Sequence, residues 1–255
     1  MTRSSQLRCV RLGLTGLMAL AVGSGCRSAL PAYAALPGDE ALAMMRERNH
    51  AISCIASPCR LILTDEHGRS VQLGGALVAA RDGRFRFQAW KLSRTIFDLT
   101  INTGGMWVWE AEADAVKRGS PIALRPSLLE PDAVEYLKNF WTMIVGDFDA
   151  SWEVRAANAT MLRVRTVLRA GQWLECTMAT KTLTVQACAV TDHDGVVSAQ
   201  FSFSAHRRFG RQVIPTRMDA VSAGRCFTIT LDDPSLDNAP APRAFVPPEG
   251  AVPLR

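Results

Sequence analysis

The sequence predicts a mainly β fold with helices, built on one large, strongly curved antiparallel sheet that a single central helix interrupts. Three observations carry this. From Arg60 onward, apolar and polar residues alternate with the period of two that marks half-buried strands. The runs are separated by links so short that they join only antiparallel neighbours. There are twelve such runs, more than an open sheet accommodates without curling or splitting.

In order, the spacing predicts a first helix over residues 39–52, with Leu42, Met45, Asn49 and Ile52 on one stripe. Strands follow at 61–64, 70–80, 84–91, 95–102 and 106–111, separated by Asp65-Glu66-His67-Gly68, Arg81-Asp82-Gly83 and Thr103-Gly104-Gly105. The alternation then stops. Residues 132–145 place Val134, Leu137, Trp141 and Ile144 on one helical stripe with Phe140 and Val145 beside it. Glu130 and Asp132 stand where carboxylates suit the start of a helix, and Gly146 ends it. A second block of strands is expected at 151–157, 161–168, 173–178, 183–191, 196–206, 212–220 and 226–231. From Asp232 the proline-rich tail is expected to run as an extended strap and not as strand. No repeat and no second domain boundary is visible, so residues 39–251 read as one domain.

The N-terminus reads as an address. Arg3, Arg8 and Arg11 precede an apolar run from Leu12 to Val22, too short for a spanning helix but suited to a signal peptide over residues 1–25. Gly23-Ser24-Gly25-Cys26 resembles a bacterial lipobox, which implies cleavage before Cys26 and lipid attachment to it, with residues 26–38 as tether. Ala32-Tyr33-Ala34 offers a rival cut by the ordinary signal peptidase, giving a soluble periplasmic or secreted protein, and an uncleaved segment is a third outcome. The expected location is the periplasmic side of a bacterial outer membrane.

The formal charge of +5 includes the three signal arginines; without them 26 basic residues face 24 acidic ones, a net +2. Basic residues scattered through alternating segments, with so small a net charge, argue against a nucleic-acid partner. Setting aside Cys9 and Cys26 leaves Cys54, Cys59, Cys176, Cys188 and Cys226. Disulfides are open to Cys54 with Cys59, around Pro58, and to Cys176 with Cys188 on adjacent hairpin strands; the alternative is five buried thiols. A lone C-x4-C is no zinc site, and neither metal nor cofactor is expected.

No catalytic residue emerges. His193 lies in Asp192-His193-Asp194-Gly195, a hairpin turn with Asp-Gly at its corner, and the glutamate that would complete a calcium loop is missing. His67 is in another turn, His50 near a helix end, His206 beside Arg207 and Arg208. No G-x-S-x-G, H-E-x-x-H, S-x-x-K or phosphate loop occurs in the mature chain, so the protein is not expected to be an enzyme; an envelope-lipid hydrolase is the minor alternative.

The aromatic residues say more. Met106-Trp107-Val108-Trp109 is apolar on both faces of its strand, so it covers a core on one side and something else on the other. Phe87, Phe97, Leu99, Trp107, Trp109, Leu137, Trp141 and Ile144 are expected either as ordinary core or as the lining of a hydrophobic cavity with the central helix as lid. Phe85-Arg86-Phe87-Gln88-Ala89-Trp90, Phe97-Asp98-Leu99-Thr100, Gly105-Met106-Trp107-Val108-Trp109, Leu183-Thr184-Val185, Ile214-Pro215-Thr216 and the closing Ala244-Phe245-Val246-Pro247-Pro248-Glu249-Gly250-Ala251 together resemble the LolA/LolB-like lipoprotein carrier and receptor superfamily. The resemblance implies an unclosed β-barrel, capped by helices, whose apolar cavity accepts acyl chains of lipoproteins or lipids for transport or outer-membrane insertion. A lipidated Cys26 places the chain nearer the anchored receptors. The alternative is a non-catalytic envelope sensor or scaffold that binds a protein partner on the half-barrel.

Overall fold

The computed structural model describes residues 29–34, 36–111, 139–169, 171–222, 224–236 and 239–254. The expected signal peptide, Cys26 and the first part of the central helix, with Leu137, lie outside them.

The first helix, α1, spans Gly38–Asn49 and buries Ala41, Leu42, Met45 and Asn49. It begins against the sheet so closely that a Cβ on Gly38 would meet Leu162 Cδ1 at 3.1 Å. Five strands follow as a meander: β1 (Cys54–Thr64), β2 (Ser70–Ala80), β3 (Phe85–Lys91), β4 (Arg94–Asn102) and β5 (Gly105–Glu110). A short helix, α2 (Phe140–Val145), is described at the end of the expected central helix. Then come β6 (Glu153–Ala157), β7 (Met161–Arg169), β8 (Gln172–Ala179), β9 (Thr184–Asp192), β10 (Val197–Ser204), β11 (Arg207–Phe209), β12 (Gln212–Ile214), β13 (Arg217–Ser222) and β14 (Arg225–Leu231).

Fourteen strands form one sheet in the order β16-β5-β4-β3-β2-β1-β14-β13-β10-β9-β8-β7-β6, with β15 (Ser235–Leu236) beside β1 and β16 (Val252–Leu254) at the far edge. Every pairing is antiparallel, and the edges β16 and β6 do not meet, so the sheet is an unclosed barrel. The meanders are local, whereas β1 pairs with β14, bringing Cys59 opposite Leu231.

Three expectations change. The first strand starts at Cys54, seven residues earlier than expected, and runs through Pro58. The Pro58 carbonyl accepts from Asp232 N at 3.0 Å, so that side of Pro58 faces the interval between β14 and β15, and the missing N–H falls where the regular ladder to β14 has ended. The two strands expected over 196–206 and 212–220 are four. Ala205 takes a positive φ of 51° and Pro215 has no N–H, so β11 and β12 leave the sheet as a separate two-stranded ribbon. Thr216 closes its base, donating from Oγ1 to the Ala205 carbonyl at 2.7 Å. Finally, the tail is not strand-free, since β15 and β16 both pair. Pro253 is tolerated because β16 is an edge.

Among the cysteines, Cys176 and Cys188 are direct cross-strand partners on β8 and β9 with Cα atoms 4.1 Å apart and form a buried disulfide. The proposed Cys54–Cys59 loop is not formed. Five residues apart on one strand, their Cα atoms are separated by about 16 Å and their side chains leave opposite faces, beyond any bridge. Both are buried thiols, and Cys226 is an exposed one. No helix among the described residues is long and apolar enough to cross a membrane.

Candidate functional site: the concave face and its helical cover

Cross-strand register decides which aromatic residues share a face. Leu77, Phe87, Leu99 and Val108 stand opposite one another on β2, β3, β4 and β5, and all four are buried. The same face continues across the β1–β14 seam through Leu61, Ile229 and Met218, and on through Phe201 and Cys188 to Val164 and Leu162. This concave surface is predominantly apolar, with Ser57 and Glu110 among its polar members. Phe87 and Phe97 pack with ring centroids 6.3 Å apart. The Glu110 carboxyl shares this face opposite Phe97, and burial raises it above the usual carboxylate range.

Trp107 and Trp109 are not part of this surface. They stand opposite Thr100 and Asp98 and so point to the convex side, alternating with Met106 and Val108. The resulting double burial of 97–101 has a definite cause: the convex side of β3–β5 is covered by the C-terminal strap. A 3-10 turn at Pro242–Phe245 packs on β3 and β4, with Phe245 buried beneath the Arg84 guanidinium at 4.7 Å. Arg86 donates to the Ala244 carbonyl at 3.2 Å and Asn102 to that of Phe245 at 3.0 Å. The two tryptophans therefore belong with the strap, and Gly250 lies against Trp109.

Helix α2 covers the concave side. Phe140, Trp141, Met143, Ile144 and Val145 are all buried, and the Phe140 ring meets Phe85 edge-on at 5.0 Å. A crevice of about 10 Å³ separates α2 from the sheet, lined by Phe140, Ile144, Pro215, Thr216, Arg217, Met218, Ile229 and Leu231. That is room for about one water molecule. Of the expected cavity residues, Phe87, Phe97 and Leu99 thus lie on the concave face and Trp141 and Ile144 on the helix that covers it. Trp141 Nε1 is buried and has no hydrogen-bond acceptor among the described residues.

The exit of α2 is held by polar contacts that the apolar stripe did not announce. Gly146 ends the helix in the left-handed region, φ 72°, and the Met45 side chain of α1 fills the space where a Cβ would stand. The fully buried Asn49 donates from Nδ2 to the Val145 carbonyl. Arg46 donates to the carbonyls of Phe148 and, at 2.5 Å, Asp149. Arg81, in the β2–β3 turn, places Nε 3.0 Å from Asp147 Oδ2 and donates to the carbonyls of His50 and Asn49 at 2.6 and 2.8 Å. Arg81-Asp82-Gly83 had read only as a turn; nothing in a single sequence marks an arginine that will bind carbonyls on a distant element.

The histidines form no reacting group. Asp192 Oδ1 accepts the backbone N–H of Asp194 and Val196, and Gly195 takes φ 78°, so His193 sits on an ordinary turn. His206 Nε2 donates to the Val185 carbonyl at 2.9 Å, and burial, with Arg48 nearby, lowers its pKa. Among the described residues no group of three His, Cys, Asp or Glu side chains is placed to hold a metal.

No protein-family model and no curated protein matches this chain. Solved structures do. An outer membrane lipoprotein-sorting protein domain from Vibrio parahaemolyticus superposes with a TM-score of 0.53 at 11% identity, over 82% of this chain and 96% of that one. A DUF1329 family protein from Desulfovibrio piger gives 0.55 at 12% identity, over 82% and 95%. A LolA superfamily protein from Nitrosomonas europaea gives 0.53 at 11% identity, over 81% and 96%. The chain has the LolA-like fold.

Proposed function

We propose that this protein is an exported envelope protein, lipid-anchored through Cys26, that receives acyl chains of lipoproteins or lipids on its concave face for transport or outer-membrane insertion. The observation that carries the reading is the way the apolar face is covered: a short helix lies over it, and the exit of that helix is fastened by polar side chains at Asn49, Arg46 and Arg81. Hydrogen bonds of this kind contribute about 1 kcal/mol each, so the fastening is worth a few kcal/mol. Each methylene taken from water returns about 0.8 kcal/mol, so a few methylenes offset this fastening and the rest of an acyl chain replaces the apolar burial that α2 gives up on release. The fold supports the same reading, since it is shared with a lipoprotein-sorting domain.

Native mass spectrometry of the full chain carrying Cys26→Ala tests it. Acyl-chain adducts are expected, displaceable by a fluorescent fatty acid. Substituting Arg46 and Arg81 by alanine should raise that probe's affinity by loosening the cover. A folded protein that binds no acyl compound would leave the alternative, a scaffold for a protein partner, which the nearly filled space beneath α2 also suits.

A further inference from the structure

Many arginines of this structure are ion-paired. Arg60, Arg69, Arg81, Arg84, Arg86, Arg155, Arg163, Arg165 and Arg217 each stand within 4.0 Å of a carboxylate. The three arginines of the ribbon β11–β12 are placed differently. Arg207, Arg208 and Arg211 are exposed and meet no carboxylate among the described residues. Among the described residues their contacts stay within the ribbon: Arg207 lies over the Phe209 ring at 5.6 Å, and Arg208 donates to the Gly210 carbonyl at 2.7 Å. The ribbon is firmly mounted. Val213 and Ile214 are buried, β12 packs against α2, and the base is pinned at Ala205 by Thr216. A fixed platform that holds three exposed guanidinium groups, none with a carboxylate among the described residues, is suited to phosphate oxygens, which their planar forks bind in pairs.

The tether indicates which phosphates. Tyr33 N donates to the Lys181 carbonyl at 2.7 Å in the β8–β9 turn. That turn lies at the same end of the sheet as the ribbon, because β9 starts where β10 ends and His206 reaches back to Val185. Tyr33 lies seven residues after Cys26, and fully extended that stretch spans at most about 25 Å. A bilayer holding a lipid on Cys26 therefore lies within that reach of the arginine-bearing end. We infer that the β11–β12 ribbon is a docking surface for anionic phospholipid headgroups, which orients the protein on the membrane that anchors it. The inference rests on the proposed anchoring at Cys26, but the ribbon's affinity is measurable without the anchor.

The test is flotation of the full chain carrying Cys26→Ala with vesicles of phosphatidylethanolamine and phosphatidylglycerol, against vesicles of phosphatidylcholine alone. Partition onto the anionic vesicles is expected, weakening with salt, and absent on phosphatidylcholine. Each of Arg207→Ser, Arg208→Ser and Arg211→Ser should lower it roughly fivefold, while Arg163→Ser, at an ion-paired arginine, leaves it unchanged. Thermal melts and acyl-chain adducts of the triple variant should match the parent, which separates this surface from the concave site. Anionic binding that survives the triple substitution, loss of binding on Leu92→Asp at the opposite end of the sheet, or no partition even at low salt would overturn the inference. Binding of the ribbon to an acidic peptide in place of vesicles would overturn it too, in favour of a protein partner.

Discussion

The Arg86 guanidinium lies 2.7 Å from Asp98 Oδ2, and the Asp98 side chain is only 1% exposed. Gln88 donates to the same carboxylate at 2.7 Å and Thr100 at 3.1 Å, so the charge is fully partnered beneath the C-terminal strap. Removing one member of such a pair leaves the other buried without compensation. Asp98→Ala should cost about 3 kcal/mol or more in urea unfolding, with part of the loss recovered by Arg86→Met in the same chain. Limited proteolysis near Arg243 should accelerate in the single variant, because Arg86 also holds the strap through Ala244. Unchanged stability and unchanged cleavage would show that the strap is held by other means.

Gly146 is expected to tolerate no side chain. Its φ of 72° disfavours any L residue, and a Cβ would overlap Met45 Cε. Gly146→Ala should lower stability by more than about 1 kcal/mol and increase hydrogen exchange in α2 and at the end of α1. Pairing it with Met45→Ala should recover the steric part of the loss but not the conformational part. A single variant as stable as the parent would mean that α2 does not pack on Met45 in solution.

The thiols should separate cleanly by reactivity. Burial, with Asp232 nearby, pushes the Cys59 thiol up to about 12, so it stays protonated at ordinary pH and out of reach of reagents. Maleimide should label Cys226 in the folded protein and reach Cys54 and Cys59 only after unfolding, read as mass shifts. Replacing Cys176 and Cys188 together by alanine should cost about 3 kcal/mol, the closure entropy of a short loop. Native labelling at Cys59 would contradict the packing of its Sγ against Gly75.

His206 sets one limit of the stable pH range. Its folded pKa lies below the ordinary 6.5, so the unfolded chain binds more protons than the folded one between those two values. Stability is then fully present above about 6.5 and declines as pH falls toward the lowered value. Urea midpoints measured between neutral and mildly acid pH should show this slope, and His206→Gln should flatten it. A slope that His206→Gln leaves intact would assign the acid sensitivity to other groups.

The sequence displayed some of this structure and hid the rest for definite reasons. Strand β2 was legible to the residue because alternation from Ser70 to Ala80 is bounded by two Asp-Gly-type turns. The first half of β1 was hidden by Pro58, which is harmless only because of the interval between two partner strands. The ribbon was hidden within two apparent strands, although Pro215 inside an expected run was a usable warning. Leu92 was missed altogether. It is 90% exposed at the β3–β4 turn, where both Leu92 and Ser93 take positive φ without glycine's help. The aromatic list mixed two surfaces because a strand buried on both sides carries no sign of which side is the interior; Trp107 and Phe87 were separable only once β5 had been placed against β4. The polar contacts at the exit of α2 join Asn49 to Val145 and Arg46 to Phe148 across about a hundred residues, and no local pattern records such pairs.

The pairing of β1 with β14 also sets an order of events. Both meanders form from neighbouring segments, but Cys59 meets its partner Leu231 only after some 170 further residues have been made. Until β14 is present, β1 offers an unpaired edge. The two halves of the half-barrel are thus joined by β14, made after every other strand of the two meanders. Substitutions along that seam should slow refolding more than those within either meander, since the longest loop closure is completed there.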